Sequence, residues 1–164
     1  MAQRIKSDGV GKFQEMQRDI TSTTTHMELS MLAEPDYLSV GRAAVRRVGA
    51  SVGLDDEQCE SVALAVVEAL TNVIRHSYGG PCEKLIIVKL NKLAYSDESC
   101  GLEILVRDFG RQVDPSVIKG RDLEDVRPGG LGVHIIHSVM DEVVFSPAGD
   151  CGMQLRMVKY ICKN

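Results

Sequence analysis

Tryptophan is absent from this 164-residue chain, and three Phe and four Tyr are its only large aromatic residues. Its core must therefore be assembled from Val, Ile, Leu, Met and Ala. No stretch approaches the ~20 apolar residues that a membrane-crossing helix needs. The N-terminus, MAQRIKSDGVGK, is polar and lacks the apolar centre of a secretory signal. The expectation is a cytoplasmic protein with no membrane contact. An excess of basic charge is missing too: the net charge is −4, and general nucleic-acid binding needs a basic face. Arg42, Arg46 and Arg47 form the one local basic cluster, which reads first as a solvated helix face. Paired cysteines are also lacking. The five (Cys59, Cys82, Cys100, Cys151, Cys162) are scattered, with no CxxC and no zinc spacing, as expected of reduced, partly buried thiols.

What is present is ordinary for one globular domain: 44% hydrophobic and 26% charged residues. Residues 1–20 have weak periodicity and read as a tail or partner-contacting arm, leaving 21–164 as the folded domain. Thr23 to Met31 alternates as a half-buried strand does, with Thr25, Met27, Leu29 and Met31 on one face. Pro35-Asp36 opens a helix to about Val52, closed by Gly53. Asp55 or Asp56 caps a second helix over 56–78, whose buried stripe is Val62, Val66, Leu70, Val73 and Ile74. Strands are expected over 84–93 and 102–107, with 95–101 as their hairpin loop. Residues 108–130, poor in apolar side chains, read as a lid. A third helix over 131–140 and a closing hairpin, 143–146 with 153–161, complete the chain. The pattern predicts a two-layer α/β sandwich, a mostly antiparallel mixed sheet with helices on one face.

Three short patches carry the chemistry. Glu68, Asn72 and His76 are spaced by four, so a helix stacks them on one face. A carboxylate and an amide so placed can offer oxygen to Mg²⁺ and a base for a hydroxyl, although such spacing more often marks a solvated face. Asp108-Phe109-Gly110 ends an apolar strand. There Asp108 can accept from an exocyclic amine such as that of adenine, and Gly110 lets the backbone pass close to a ring. A plain strand-ending turn has the same composition. Gly129-Gly130-Leu131-Gly132 precedes an apolar helix, whose unpaired N–H groups suit phosphate. It is neither a P-loop, since no GK[ST] follows, nor the GxGxxG of a dinucleotide-binding fold.

Each patch alone is unremarkable, but their order and spacing resemble the GHKL superfamily of ATPases and kinases. The likeness is greatest to the short anti-sigma-factor serine kinases (RsbW-like and SpoIIAB-like), and it runs from about Thr23 to Tyr160. The helix motif E-A-x-x-N-x-x-x-H is met by Glu68, Ala69, Asn72 and His76. The motif D-x-G is met by Asp108 and Gly110, continued by Asp114-Pro115. The G-G-L-G motif is met at Gly129 to Gly132 and followed by Met140-Asp141-Glu142-Val143. Many relatives carry a second glycine, D-x-G-x-G, where this chain has Gln112.

The resemblance implies an ATP-binding domain of the Bergerat type. In it Asn72 would hold the Mg²⁺ that bridges the ATP phosphates, and Asp108 would read the adenine amine beside Gly110. The backbone of Gly129, Gly130, Leu131 and Gly132 would cradle phosphates. Glu68 would be the general base toward a substrate serine, with Arg75 and Arg127 as phosphate contacts and His76 near the site. It further implies an anti-sigma factor with protein serine/threonine kinase activity, regulating transcription through a sigma factor and a STAS-type anti-anti-sigma protein, and a homodimer. Two other readings share the fold: an ATP-sensing switch without transfer activity, and a detached histidine-kinase ATPase domain.

Overall fold

The computed structural model describes residues 19–118 and 131–161. Eight main elements follow in the order β1 (Ile20–Ala33), α1 (Leu38–Val52), α2 (Asp56–Asn72), β2 (Cys82–Tyr95), β3 (Cys100–Arg107), α3 (Leu131–Val139), β4 (Glu142–Pro147) and β5 (Met153–Ile161). The strands form one sheet in the order β1-β2-β3-β5-β4, antiparallel at every pairing. The predicted order of strand, two helices, two strands, helix and two strands is the observed one. Of the lid, residues 119–130 lie outside the described residues, as do 1–18 of the expected tail and Cys162.

Local chemistry sets the boundaries. Asp55 caps α2: its carboxylate accepts from Gln58 N at 2.7 Å, and the Gln58 side chain returns to Asp55 N at 3.1 Å, a reciprocal box. Gly53 ends α1 at φ +113°, a left-handed conformation that glycine adopts without strain. The β2–β3 connection is shorter than the expected loop. Asp97 accepts from Ser99 N at 2.9 Å, and Tyr95 N donates to Ser99 O at 3.0 Å, so the strands persist almost to the turn. Helix α2 runs as an α-helix only to Asn72, then widens into one π-helical turn, Val73–Ser77.

The core lies between the helices and one sheet face. Ile86, Val88 and Leu90 of β2 face Leu102, Ile104 and Val106 of β3 in it, against Val45, Val62, Val66 and Leu70 of the helices. Among the described residues no aromatic side chain contributes a fully buried volume there, in keeping with the composition. Met27, Leu29 and Met31 pack against the core, whereas Thr25 is exposed. A register shift between Thr25 and Met27 separates them, so the predicted stripe covers only the second half of β1. Arg42 and Arg46 of α1 both reach Glu60 of α2, at 2.8 and 2.7 Å. The basic cluster is spent largely on a helix–helix contact.

The opposite sheet face carries a polar ladder. Asn91 Nδ2 donates to Glu103 Oε2 at 2.8 Å, and Arg156 bridges Glu103 at 2.6 Å and Glu142 at 2.5 Å. Burial pushes the Glu142 carboxyl up, but hydrogen bonds from Tyr160 and Arg156 outweigh it and hold it below its ordinary value. A carboxyl depressed in the folded state stabilises fully above its unfolded value, and that contribution is lost as pH falls through the folded one. Stability is therefore expected to decline below about pH 4.3, with a shallower decline in Glu142→Gln. Melting temperatures between pH 3 and 6 test this, and identical slopes in the two proteins would refute the role of Glu142.

Candidate functional site

Asp108 follows the last residue of β3 and is buried, 3% exposed. A carboxylate at such a place must find hydrogen-bond donors inside the protein. It finds two: Ser77 Oγ donates to Oδ2 at 3.3 Å, and Gly110 N donates to Oδ1 at 2.8 Å. The next residue is held as well. Phe109 N donates to the Tyr78 hydroxyl at 2.7 Å, and that hydroxyl donates to Leu85 O at 2.7 Å. Burial raises the Tyr78 phenol above its ordinary value, against the opposing effect of the Phe109 N–H.

The π-helical turn explains how Ser77 arrives there. Tyr78 N donates to Val73 O at 3.1 Å, five residues back, so this turn holds one residue more than an α-helical one. The helix carrying Glu68, Asn72 and His76 therefore departs from α-helical geometry before its last member. His76 is exposed, as is Arg75, and among the described residues neither makes a side-chain hydrogen bond or ion pair. Ser77 takes the inward position instead. Gly110 packs so closely on this turn that a methyl group at its Cα would stand 2.7 Å from Ser77 O.

A second convergence lies further back along α2. A methyl group at Gly132, in the first turn of α3, would stand 2.7 Å from Glu68 Oε2 and 3.4 Å from Asn72 Nδ2. The absent side chain thus leaves the start of α3 directly against the carboxylate and the amide. Leu131 begins this helix and is 61% exposed, although large and apolar. Of the sequence-predicted residues, Glu68, Asn72 and Gly132 come together here, and Asp108 with Gly110 comes together at the end of the same helix. Arg127, Gly129 and Gly130 lie outside the described residues.

A magnesium ion and a nucleotide fit this donor set. Among the described residues no group of three His, Cys, Asp or Glu could cage a metal. Mg²⁺ commonly takes one or two protein ligands and fills its other positions with phosphate and water. One amide oxygen at Asn72 beside the start of α3 suits that use, and Gly132, buried there without a side chain, lets the main chain come close to Asn72 and Glu68. The four described cysteines are free thiols: Cys59 is buried, Cys82 and Cys100 are half-buried and Cys151 is exposed. No described helix is long and apolar enough to cross a membrane.

Sequence reasoning missed Ser77, Tyr78 and Arg107. Nothing in a run of Val-Ile-Arg-His-Ser announces a π-helical turn. The Arg107 guanidinium donates to the carbonyls of Ala148 and Cys151, at 2.7 Å each, and to that of Asp108. Gly149 and Gly152, in the turn that supplies two of those carbonyls, were the visible signal.

Comparison with known proteins gives the family and the fold. Residues 31–159 match the family model of the histidine kinase-like ATPase domain. The chain is 34% identical over 141 residues to the serine-protein kinase RsbW of Listeria monocytogenes serotype 4a (strain HCC23), covering 81% of this chain and 85% of that protein. It is 29% identical over 151 residues to the RsbW of Oceanobacillus iheyensis, covering 87% and 91%. Among solved structures, the SiaB–SiaC complex from Pseudomonas aeruginosa contains a similar chain (TM-score 0.58, 14% identity, 82% of this chain and 89% of that one). The RsbU and RsbW domains of a Mycobacterium tuberculosis protein give a TM-score of 0.54 at 16% identity, over 84% of this chain and 31% of that one. At these identities the two structures speak for the fold alone.

The two glycines predict different outcomes. In Gly110→Ala the new methyl meets the main chain of Ser77, which cannot swing away, at an expected cost of about 1–3 kcal/mol. In Gly132→Ala it meets the movable end of Glu68, and the helix gains propensity. Thermal unfolding should show a drop of several degrees for Gly110→Ala and little or none for Gly132→Ala. Equal losses would contradict the packing described.

Proposed function

The chain belongs to the histidine kinase-like ATPase family, and from that premise we propose that it is an anti-sigma factor with ATP-dependent protein serine kinase activity. The family's domain implies ATP binding, and curated relatives at about a third identity are serine-protein kinases. Its substrate on this reading is a serine of a STAS-type anti-anti-sigma protein, and its second partner is a sigma factor. The active form is a homodimer. The observation that carries the proposal is the approach of Glu68 and Asn72 to Gly132 at the start of α3, where this reading puts the phosphates, against helix N–H groups.

The residues divide the work as follows. Asp108, held by Ser77 and Gly110 N, accepts from the amine of adenine, with Gly110 beside the ring. The main-chain N–H groups at Gly130, Leu131 and Gly132 donate to phosphate oxygens, and Gly129 and Arg127 belong to the same approach. Asn72 would supply one ligand to a Mg²⁺ ion, whose charge would offset that of the phosphates. Glu68, four residues earlier on the same face, takes the proton of the incoming serine hydroxyl as its oxygen attacks the γ-phosphorus of ATP and the bond to the β–γ bridging oxygen breaks, releasing ADP. Arg75 and His76, both exposed, are available to phosphate or to the protein substrate and are no part of the buried grip on Asp108.

The test is transfer of the γ-phosphoryl group from labelled ATP to candidate STAS proteins, followed by mapping of the modified serine. Glu68→Ala is expected to reduce transfer about 10²–10⁴-fold, the range of a lost general base, while ATP affinity stays within a few-fold. Unchanged transfer would remove Glu68 from the mechanism. ATP binding without transfer to any such protein would favour the ATP-sensing switch. Capture from native lysate with ATP and then ADP that brings down neither a sigma factor nor a STAS protein would overturn the partner assignment.

A further inference from the structure

The turn between β4 and β5 does more than join two strands. Its carbonyls at Ala148 and Cys151 both accept from Arg107 Nη2 at 2.7 Å, while Arg107 Nη1 donates to Asp108 O. Asp108 N donates to Met153 O at 3.0 Å, just past the same turn. Both peptide groups of Asp108 are thereby tied to the turn. The guanidinium also lies over the Phe109 ring, 4.6 Å from its centre, which limits its swing.

Gly152 permits this closeness. It sits at φ +74°, and a methyl group there would stand 2.0 Å from Asp108 O and 2.7 Å from Arg107 Nη1. No L side chain fits that position without displacing one or the other. Gln112 is tied to the same turn, its Nε2 donating to Gly149 O at 3.0 Å. The turn therefore holds the strand end before Asp108, the main chain of Asp108 and the first residues after Gly110.

We propose that Arg107 is a positioning residue of the nucleotide site, acting through the β4–β5 turn to aim the Asp108 carboxylate at the base. This rests on the reading of Asp108 as the group that meets adenine. A carboxylate accepts from the 6-amine of adenine and opposes the 6-oxo group of guanine. Its discrimination depends on direction, which is set by the donors Ser77 and Gly110 N together with the main chain that Arg107 holds. The three carbonyls are divided between two nitrogens of the planar fork, Asp108 O at Nη1 and the two turn carbonyls at Nη2. A lysine keeps the charge but presents one nitrogen, and cannot reproduce the fork.

The experiment measures Kd for ATP and for GTP by calorimetry on the full chain, as wild type, Arg107→Lys and Arg107→Ala, well below each melting temperature. Expected is a loss of about tenfold in ATP affinity with GTP affinity nearly unchanged, so the ATP:GTP preference falls by the same factor in both variants. A role confined to stability would lower the melting temperature and leave that preference intact. A folded Arg107→Lys with the wild-type preference overturns the proposal, and if Arg107→Ala does not fold, Arg107→Lys alone decides. Wild-type protein that binds no ATP overturns the nucleotide reading itself, and this proposal with it. That result is separate from wild type that binds ATP beside variants that discriminate as well as it does.

Discussion

A carboxylate buried at the end of a strand is expensive unless donors meet it, and the architecture around Asp108 answers that constraint. Removing an unpaired carboxylate from water costs several kcal/mol even after relaxation. Here one oxygen accepts from Ser77 and the other from Gly110 N. Those donors exist only because α2 widens into a π-helical turn and because residue 110 has no side chain to hold the loop away. Each carboxylate oxygen keeps acceptor capacity for an incoming donor. The group is settled without being saturated.

The same helix serves both ends of the site. Its α-helical part carries Glu68 and Asn72 toward Gly132, and its π-helical turn delivers Ser77 to Asp108. Since α2 is buried along Val62, Val66 and Leu70 against the sheet, the spacing between the two convergences is set by a rigid element. That is the preorganisation a phosphoryl-transfer site needs, where positioning and charge carry most of the catalysis.

Much of this could be read from the sequence. The helical stripe of Val62, Val66 and Leu70, the glycine after Val52 and the β-rich runs around Val88 and Ile104 report local periodicity and capping, which depend on near neighbours. Asp108, Gly110 and Gly132 could be named because three short patches agree in order and spacing with a known family, although each alone reads as an ordinary turn or helix start. The spacing by four that named His76 assumes 3.6 residues per turn, whereas from Val73 the helix is π-helical, which no spacing in the sequence announces. Arg107 escaped notice because its partners lie some forty residues away, in a turn whose carbonyls have no sequence signature. The β2–β3 loop looked longer than it is because Asp97 and Ser99, polar in sequence, are the residues that tighten it.

The polar ladder on the sheet face away from the helices has a consequence for how the strands find one another. Asn91, Glu103, Arg156 and Glu142 come from β2, β3, β5 and β4, one from each. Sliding any of these strands by a single residue would turn its ladder member toward the apolar core and leave the others without a partner. A slip of two residues would keep every side chain on its own face, and apolar residues alone would resist it less, since one methyl group packs against another with little preference. The ladder thus works as a register key. It admits one alignment of four strands, and that alignment fixes where β3 ends and where Asp108 begins.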